Sequence, residues 1–442
     1  MQQGISKGLK ASVVTLGCKV NQFESASFET SLAAAGVELV TFPGEADLYI
    51  INSCAVTAKA GAQSRQLVRR ALKVNPSARV IITGCYAQVD SAALLEITDY
   101  EACIVGNSYK DQLVDIALSE DCCDLEMYLG DIREVSSICS LPVRRFEGRT
   151  RAFLRLQDGC DNFCSYCVVP YTRGRSRSLP SEEAVRQLEV LVEENYREVV
   201  LTGIHVGMYG HDLAEPLPLV VLLEKLLETA PSTRFRLSSL EPVEVDEKIL
   251  ALIRDRRNFM PHLHIPLQSG DQNILQKMNR KYSPAFYKEV AARIRSFLPE
   301  AAIGVDVLVG FPGEDGAAFL NTYSLLEALP VSYLHVFPYS KRPGTLAATM
   351  GNQVEPMVIR ERTALLRELG LRKKREFYNS FLGEVREVLV EGETDREEGF
   401  RQGFTDNYIP VIFEATSGLV NQVVPVLLES LQGDKVVGRL KL

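Results

Sequence analysis

The sequence is 442 residues long, with 46% hydrophobic residues and a formal net charge of −8. This length predicts about three domains, each large enough to bury its own core. No stretch reaches the ~20 apolar residues that span a bilayer, and residues 1–14 show no cleavage signal. We therefore expect a cytoplasmic protein without a membrane partner. The negative charge disfavours nucleic acid only on average, because phosphate binding depends on local patches.

Residues 1–140 are predicted to form a doubly wound α/β domain. Apolar runs at 12–16, 47–51 and 79–83 have the composition of buried parallel strands, and helical patterns follow them. An alternation of this kind is typical of a parallel sheet with helices on both faces.

Three cysteines occupy equivalent places in this domain, since Cys18, Cys54 and Cys85 each come directly after a predicted strand. Loops at the carboxyl ends of parallel strands converge on one crevice. The placement therefore predicts that three thiols meet at one metal site. The alternative is that each small side chain simply packs beside Gly or Ser.

A second group of cysteines is concentrated in one loop. Cys160, Cys164 and Cys167 form a CxxxCxxC pattern in the run CDNFCSYC, after a strand predicted at 151–157. Such a loop can hold three irons of a four-iron cluster and leave the fourth iron without a protein ligand. An iron with open positions can bind and reduce a cofactor, so we predict a reactive site.

Residues 141–376 are predicted to form a partial barrel of six βα units. Six units are too few to close an eight-stranded barrel. The polar loops after the strands, including the cysteine loop, share the carboxyl-terminal face, where parallel barrels build their active sites. The strands after the first are expected at 198–201, 234–237, 262–267, 303–309 and 333–337.

Residues 377–442 are predicted to form a small β-barrel. Short alternating runs separated by turn residues indicate five strands, the number of an OB-like barrel. A helix at 359–376 is expected to link this barrel to the preceding domain. The strands are expected at 384–390, 400–404, 409–414, 421–428 and 435–440.

These features resemble the radical S-adenosylmethionine (SAM) methylthiotransferases over nearly the whole chain. CxxxCxxC after the first barrel strand resembles the radical SAM superfamily. Three upstream cysteines on a separate α/β domain and a terminal TRAM-like barrel resemble the methylthiotransferases. The run TLGCKVNQ is similar to the branch that modifies N6-threonylcarbamoyladenosine at position 37 of tRNA. The isopentenyladenosine branch reads closer to GCQMN, and the ribosomal-protein branch closer to GCPKN.

The resemblance implies two 4Fe-4S clusters and two molecules of SAM. The loop cysteines would hold the cluster that cleaves SAM and so generates the radical that takes hydrogen from carbon 2 of the adenine. The three upstream cysteines would hold an auxiliary cluster that carries the sulfur, and a second SAM would supply the methyl group. A flavodoxin- or ferredoxin-type electron donor is implied. The sulfur donor is unknown, and a monomer is expected.

The resemblance also implies SAM contacts at the ends of the barrel strands. The superfamily's second-strand motif offers backbone carbonyls to the SAM amino group, and the loops after the third and fourth strands offer ribose or carboxylate contacts. A glycine after the fifth strand lets the backbone approach the adenine. Ordinary loop hydrogen bonds and turn formation are the alternatives. In chain order the candidates are Thr202 and Gly203, Ser238 and Glu241, Gln268, and Gly310.

Basic sequence flanks the cysteine loop and continues in the linking helix. Residues 144–177 hold eight Arg against three acidic residues, and residues 359–376 hold seven basic against three acidic residues. Both predict patches that neutralise RNA phosphates, although a solvated face is the alternative. The terminal barrel is acidic, so its grip on tRNA is left open. The candidate RNA contacts are Arg173, Arg175, Arg177 and Tyr171.

Alternatives from other classes stay open. The same chemistry could act on isopentenyladenosine in tRNA or on a ribosomal protein side chain. A non-catalytic metal-containing RNA-binding protein is disfavoured, because structural zinc takes four closed ligands and each cysteine triad offers three. The remaining notable residues are expected to be ordinary thiols (Cys103, Cys122, Cys123, Cys139), structural histidines (His262, His264) and a solvated basic turn (Lys277, Arg280, Lys281).

Overall fold

The computed structural model describes residues 8–98, 102–119, 127–393 and 399–441. Cys122 and Cys123 lie outside these residues. Within them, no helix combines the length and the apolar character needed to cross a membrane.

The N-terminal strands are β1 (Lys10–Thr15), β2 (Glu38–Leu39), β3 (Leu48–Ser53), β4 (Arg79–Gly84), β5 (Cys103–Val105) and β6 (Met127–Tyr128). They form one parallel sheet in the order β2-β1-β3-β4-β5-β6. Every residue of β3 is buried, as the run LYIINS predicts for a strand covered on both faces. The doubly wound prediction is confirmed.

The helices of this region divide between the two faces of the sheet. Ile50 packs in one core with Phe23 of the first helix, whereas Ile51 packs in another core with Val68 of the second helix. Successive strand residues point to opposite faces, so the two cores follow from the period of the strand. The helices are α1 (Lys19–Ala34), α2 (Ala58–Val74), α3 (Cys85–Val89), α4 (Ser91–Glu96) and α5 (Leu113–Leu118).

The central region contains the six predicted parallel strands as two three-stranded sheets. These strands are β7 (Arg151–Arg155), β10 (Glu198–Thr202), β11 (Arg234–Leu237), β12 (His262–His264), β13 (Ala302–Val309) and β14 (Tyr333–Pro338), and a short antiparallel pair is formed by β8 (Gln157–Asp158) and β9 (Arg177–Ser178). The sheet orders are β11-β10-β7 and β12-β13-β14. The sheets meet through the bridge of Phe235 with Phe259.

Two strands of the central region end earlier than predicted, for local reasons. The strand expected at 262–267 ends at His264, because Pro266 has no amide proton and Gln268 has a φ of 65°. The strand expected at 151–157 ends at Arg155, and Gln157 instead pairs with Ser178 in the β8-β9 ribbon.

The helices of the central region surround the two sheets. They are α6 (Val169–Arg173), α7 (Ser181–Glu193), α8 (Leu219–Thr229), α9 (Glu247–Asp255), α10 (Gln272–Lys277), α11 (Pro284–Phe297), α12 (Gly316–Ala328), α13 (Leu346–Thr349) and α14 (Pro356–Asn379). Basic groups of α14 are used in packing: Arg362 pairs with Glu314, and Lys373 donates to the carbonyl of Leu329. Four other basic residues of the helix stay exposed, as both a solvated face and an RNA-binding patch require: Arg360, Arg367, Arg372 and Arg375.

The C-terminal region is a closed five-stranded barrel in the order β15-β16-β17-β19-β18. Its strands are β15 (Val385–Glu393), β16 (Phe400–Thr405), β17 (Pro410–Glu414), β18 (Val423–Gln432) and β19 (Lys435–Leu440). Closure leaves the small sheet without an open edge. The barrel is tied to the central sheets by Arg236, whose guanidinium donates to the carbonyls of Thr405 and Asp406.

Candidate active site

Cys18, Cys54 and Cys85, called here the upstream triad, lie at one edge of the N-terminal sheet. Cys18 caps α1, Cys54 follows β3, and Cys85 begins α3 directly after β4. At Gly17, φ is 105°, and a Cβ would lie 3.1 Å from the sulfur of Cys54. The glycine thus permits both a left-handed backbone and the close approach of the two cysteine loops.

Cys54 and Cys85 of the upstream triad are buried, whereas Cys18 is exposed at the surface. Burial raises the pKa of Cys54 to about 11, and the neighbouring Cys85 raises it further. Partial desolvation of its sulfur also raises the pKa of Cys18, while Arg173 opposes that shift. Deprotonated thiols here need positive charge nearby, which bound iron can supply.

Cys160, Cys164 and Cys167, called here the loop triad, lie in a loop closed by the β8-β9 ribbon. The amide of Cys160 donates to the carbonyl of Gly174 at 3.1 Å, and the amide of Cys167 donates to the carbonyl of Cys164 at 2.9 Å. Burial raises the pKa of Cys167 to about 12, with a further contribution from Cys164. The three thiols therefore share one half-buried, tightly turned segment.

The two triads are brought together by the packing of α6 against α3. Helix α6 begins two residues after Cys167, and α3 begins with Cys85. Val168, directly after Cys167, lies in one hydrophobic cluster with Cys85, so the loop triad and the upstream triad are joined through this contact.

Arg173 stabilises the contact between α3 and α6 through a buried ion-pair network. Its guanidinium donates to Glu24 and Asp158, both at 2.9 Å, and to the side chain of Asn21 at 2.7 Å. Burial alone would raise the pKa of Glu24, but Arg173 and Lys110 lower it to about 2. The network thus joins α1 of the first domain to the cysteine loop of the second.

The burial of Arg173 and Arg177 contradicts the expectation that they contact RNA. Arg173 is 1% exposed and Arg177 is 4% exposed. Asp158 attracts both guanidinium groups, at 2.9 Å and 3.6 Å. Sequence could not show this use, because the compensating acid Glu24 lies about 150 residues upstream.

His205, which the sequence analysis did not select, lies against the loop triad. Its Nδ1 is 3.6 Å from the sulfur of Cys160, and its Nε2 is 2.5 Å from Oε1 of Glu244. Burial lowers the pKa of His205, but its bonds to Cys160 and Glu244 outweigh burial and raise the pKa to about 10. A protonated imidazole can donate from both nitrogens, so the ring supplies an N–H to the cysteine sulfur.

Arg280 is the second charged neighbour of the loop triad. Its guanidinium lies 3.5 Å from the sulfur of Cys164 and pairs with Glu241. The side chain is only 5% exposed, so the expectation of a solvated basic turn was wrong at this position. Glu241 has its main partner within the protein, which leaves it positioned beside the cysteine loop rather than free.

The other predicted SAM contacts lie at the strand ends where they were expected. Thr202 ends β10, and its carbonyl accepts from the amide of Leu156. Ser238 is buried after β11, and its hydroxyl has no partner within the described residues. Gly203 follows Thr202, and the backbone N–H of Gln268 donates to the backbone carbonyl of Asp306.

At Gly310, φ is 80°, and a Cβ would lie 2.4 Å from the side chain of Ile359. The turn and the packing of α14 therefore account for this glycine, which supports the turn-forming alternative.

An exposed aromatic pair stands beside the loop triad. Phe163 is 52% exposed and Tyr171 is 46% exposed, and their rings are 6.1 Å apart in an edge contact. Arg175 is also exposed and pairs at 3.6 Å with Asp161. Tyr171 and Arg175 were predicted RNA contacts, whereas Phe163 was not. Its place inside the run CDNFCSYC could have indicated an aromatic side chain beside the cysteine site.

The number of thiols separates the two triads from a closed structural zinc site. Structural zinc takes four protein ligands, whereas each triad offers three, the number that leaves one iron of a four-iron cluster open. Within the described residues, only His264, Asp306 and His335 bring three possible ligand atoms within 4.8 Å of one another.

Comparison with known proteins now decides the family. Residues 10–106 match the uncharacterised family UPF0004, and residues 154–326 match the radical SAM superfamily. The chain is 36% identical to the threonylcarbamoyladenosine tRNA methylthiotransferase MtaB of Bacillus subtilis, covering 93% of this chain and 92% of that protein. The chain is also 37% identical to the Aquifex aeolicus protein of the same name, and the match covers 95% of this chain and 100% of that protein.

This chain belongs to the radical SAM methylthiotransferase family. Its cofactors are SAM and 4Fe-4S clusters. A tRNA-2-methylthio-N(6)-dimethylallyladenosine synthase of Thermoanaerobacter pseudethanolicus is 33% identical over 99% of this chain and 94% of that protein. The fold is similar to the radical SAM methyltransferase TsrM from Kitasatospora setae, with a TM-score of 0.56, 14% identity and 77% of each chain covered.

Proposed function

We propose that this methylthiotransferase adds sulfur and a methyl group at carbon 2 of N6-threonylcarbamoyladenosine, next to the anticodon of tRNA. The observation that carries the proposal is the packing of α3 against α6, which sets the upstream triad beside the loop triad. A substrate atom held between them would be within reach of both. The substrate branch is supported by the relatives that carry this name at 36% and 37% identity.

In this proposal each triad holds one 4Fe-4S cluster. The loop triad would hold the cluster that binds SAM, and the upstream triad would hold the auxiliary cluster. When bound, these groups supply the carbon-sulfur cleavage, the hydrogen abstraction and the inserted sulfur.

The chain's own residues position the cluster ligands, balance their charge and limit the access of water to them. Burial of Cys54 and Cys85 excludes water from these two ligands, and Cys167 is half-buried. The guanidinium groups of Arg173 and Arg280 offset the negative charge of the thiolates. Hydrogen bonds and charges of this kind around ligating sulfurs fix the ligands and tune the metal.

For RNA, the exposed pair Phe163 and Tyr171 offers aromatic faces on which bases can stack, and Arg175 offers a phosphate contact. All three lie in the segment of the loop triad. A nucleotide bound there would be directed towards the cysteine site.

The two-cluster arrangement is tested by iron content. Anaerobically reconstituted protein is expected to bind about eight irons, and Cys18→Ala or Cys164→Ala should each halve the iron. Cys103→Ala, outside both triads, is the control and should retain the full content. A single cluster in the unmodified protein would contradict the proposal.

The substrate is tested by mass spectrometry of tRNA nucleosides from cells that lack the protein. Loss of the methylthio derivative of threonylcarbamoyladenosine is the expected result. Loss of the isopentenyl derivative instead would move the protein to the other tRNA branch. Incubating the enzyme with unmodified tRNA and with ribosomes separates the two tRNA activities from modification of a ribosomal protein, because only the true substrate gains the methylthio group.

A further inference from the structure

The two central sheets present a charged inner face. Alternate strand residues such as Leu154, Leu201 and Leu237 are apolar and pack in the helix-covered core. Residues of the opposite parity form the inner face. There Glu198 lies across from Arg151 on one neighbouring strand and from Arg234 on the other. A face of this polarity is suited to a polar ligand rather than to further core.

Tyr408 of the C-terminal barrel reaches this inner face. Its ring centroid lies 4.5 Å from the ring of His262 and stacks 4.8 Å from that of Phe404. The guanidinium groups of Arg236 and Arg151 lie 5.0 Å and 5.6 Å from the same ring. With a φ of 71°, Tyr408 keeps a left-handed backbone conformation that is unfavourable for a bulky residue. Strain of this kind is retained where packing or function requires it.

The charges around Tyr408 do not balance. Arg151 pairs with Glu391 at 2.6 Å, and Arg236 pairs with Glu198 at 2.6 Å. Lys19 is half-buried and interacts electrostatically with Tyr408, Arg151 and Arg236, and it forms no hydrogen bond or ion pair with any residue that the structure describes. Three cations therefore face two carboxylates, which leaves a charge of 3 − 2 = +1.

His262 provides an independent unfilled polar position beside the same ring. It is 6% exposed, and its Nε2 bonds to the hydroxyl of Tyr333 at 2.7 Å. Its Nδ1 is buried and has no partner among the described residues. A buried polar atom without a partner is unfavourable, so a ligand that forms a hydrogen bond with it removes that penalty.

We propose that Lys19, with His262 and Tyr408 beside it, forms a subsite for the carboxylate of the threonyl group on the modified adenosine. This inference rests on the proposed function and identifies the part of the substrate that the inner face recognises. A single carboxylate would neutralise the excess charge of +1. Because Lys19 directly follows Cys18, a carboxylate held there keeps the adenine beside the upstream triad.

The test uses two synthetic anticodon stem-loops with the reconstituted holoenzyme. One carries N6-threonylcarbamoyladenosine, and the other carries the same nucleoside with its carboxylate converted to the neutral carboxamide. The unmodified enzyme is expected to prefer the carboxylate by about 10- to 100-fold in kcat/KM, the range of one charged hydrogen bond. Equal kcat/KM for the two RNAs would overturn the subsite without any variant being needed.

Substitutions then assign the preference to Lys19. Lys19→Gln leaves a polar side chain of similar length but removes the charge. It should lower kcat/KM for the carboxylate RNA by about 10- to 100-fold. It should change kcat/KM for the carboxamide RNA by less than about 3-fold. Lys19→Arg should retain most of the preference. Lys248→Ala, which removes an exposed lysine of α9, is the matched control. An equal loss on both RNAs would contradict the assignment.

Because Lys19 adjoins a cluster ligand, iron content and SAM cleavage without RNA are measured for every variant. Both should match the unmodified enzyme in Lys19→Gln, and a loss of iron confined to this variant would assign Lys19 to the auxiliary cluster and overturn the subsite. Failure of the function itself looks different. The enzyme would then modify neither stem-loop but would act on an isopentenyladenosine stem-loop.

Discussion

His205 and Cys160 are joined by a hydrogen bond, with Nδ1 of the imidazole 3.6 Å from the cysteine sulfur. On the other side of the ring, Glu244 accepts from Nε2 at 2.5 Å and fixes the orientation of the imidazole. The relationship links the loop after β10 to the loop triad. A donor to a ligating sulfur stabilises the more reduced state of an iron-sulfur cluster.

We therefore expect His205→Ala to make the reduction potential of the loop-triad cluster more negative, with iron content unchanged. The measurement is a redox titration followed by electron paramagnetic resonance. His211→Ala, which removes an exposed histidine after the same strand, should leave the potential unchanged. An unchanged potential in His205→Ala would show that the contact does not reach the cluster.

Arg173 is predicted to act on stability, because its removal leaves Glu24 and Asp158 as buried carboxylates without their main partner. Arg173→Ala should lower the free energy of unfolding of the joined first and second domains by about 3–5 kcal/mol. Thermal unfolding followed by circular dichroism measures this as a lower Tm. Arg175→Ala, at an exposed arginine two residues on, should change stability by less than about 0.5 kcal/mol. A variant at Arg173 with normal Tm and weakened tRNA binding would restore the RNA role.

Glu29 is predicted to make stability depend on pH. Burial and the neighbouring Glu147 raise the pKa of Glu29 from 4.5 to about 7. The ionised form is thus disfavoured in the folded state, and stability is lost as pH rises from about 4.5 to 7.

Glu29→Gln should accordingly stabilise the protein at pH 8 by ~1–2 kcal/mol, a value discounted because the side chain is only half-buried, and much less at pH 5. Tm measured at both pH values checks this. Glu45→Gln, at an exposed position, controls for the loss of a surface carboxylate. A stabilisation independent of pH would contradict the explanation.

The exposed pair Phe163 and Tyr171 is predicted to contribute to tRNA binding. Stacking of one base on an aromatic ring is worth about 1–3 kcal/mol, so Phe163→Ala and Tyr171→Ala should each weaken binding by about 5- to 150-fold at fixed salt. Fluorescence anisotropy with labelled tRNA measures the change in Kd. Leu320→Ala, at an exposed apolar residue of α12, should have no effect. Equal affinities for all three variants would place the RNA elsewhere.

The local patterns of the sequence were sufficient for the architecture and for the grouping of cysteines. Strand period and apolar runs predicted a doubly wound sheet, six parallel strands and a five-stranded barrel, because each depends on side chains only a few residues apart. CxxxCxxC and the three strand-end cysteines could be recognised for the same reason. The roles of single polar residues were harder to predict. Arg173 was predicted to contact RNA and Arg280 to lie in a solvated turn, but both are buried in ion pairs.

The sequence by itself determined the elements and the two cysteine triads, since short-range periodicity and spacing encode them. Only the tertiary structure decided that α6 packs on α3, that Glu24 and Arg173 join the first two domains, and that Tyr408 packs on His262 within electrostatic range of Lys19. These pairs are separated by roughly one hundred to several hundred residues. Their meeting is fixed by the burial of whole domain surfaces, a property of the folded chain that no local pattern records.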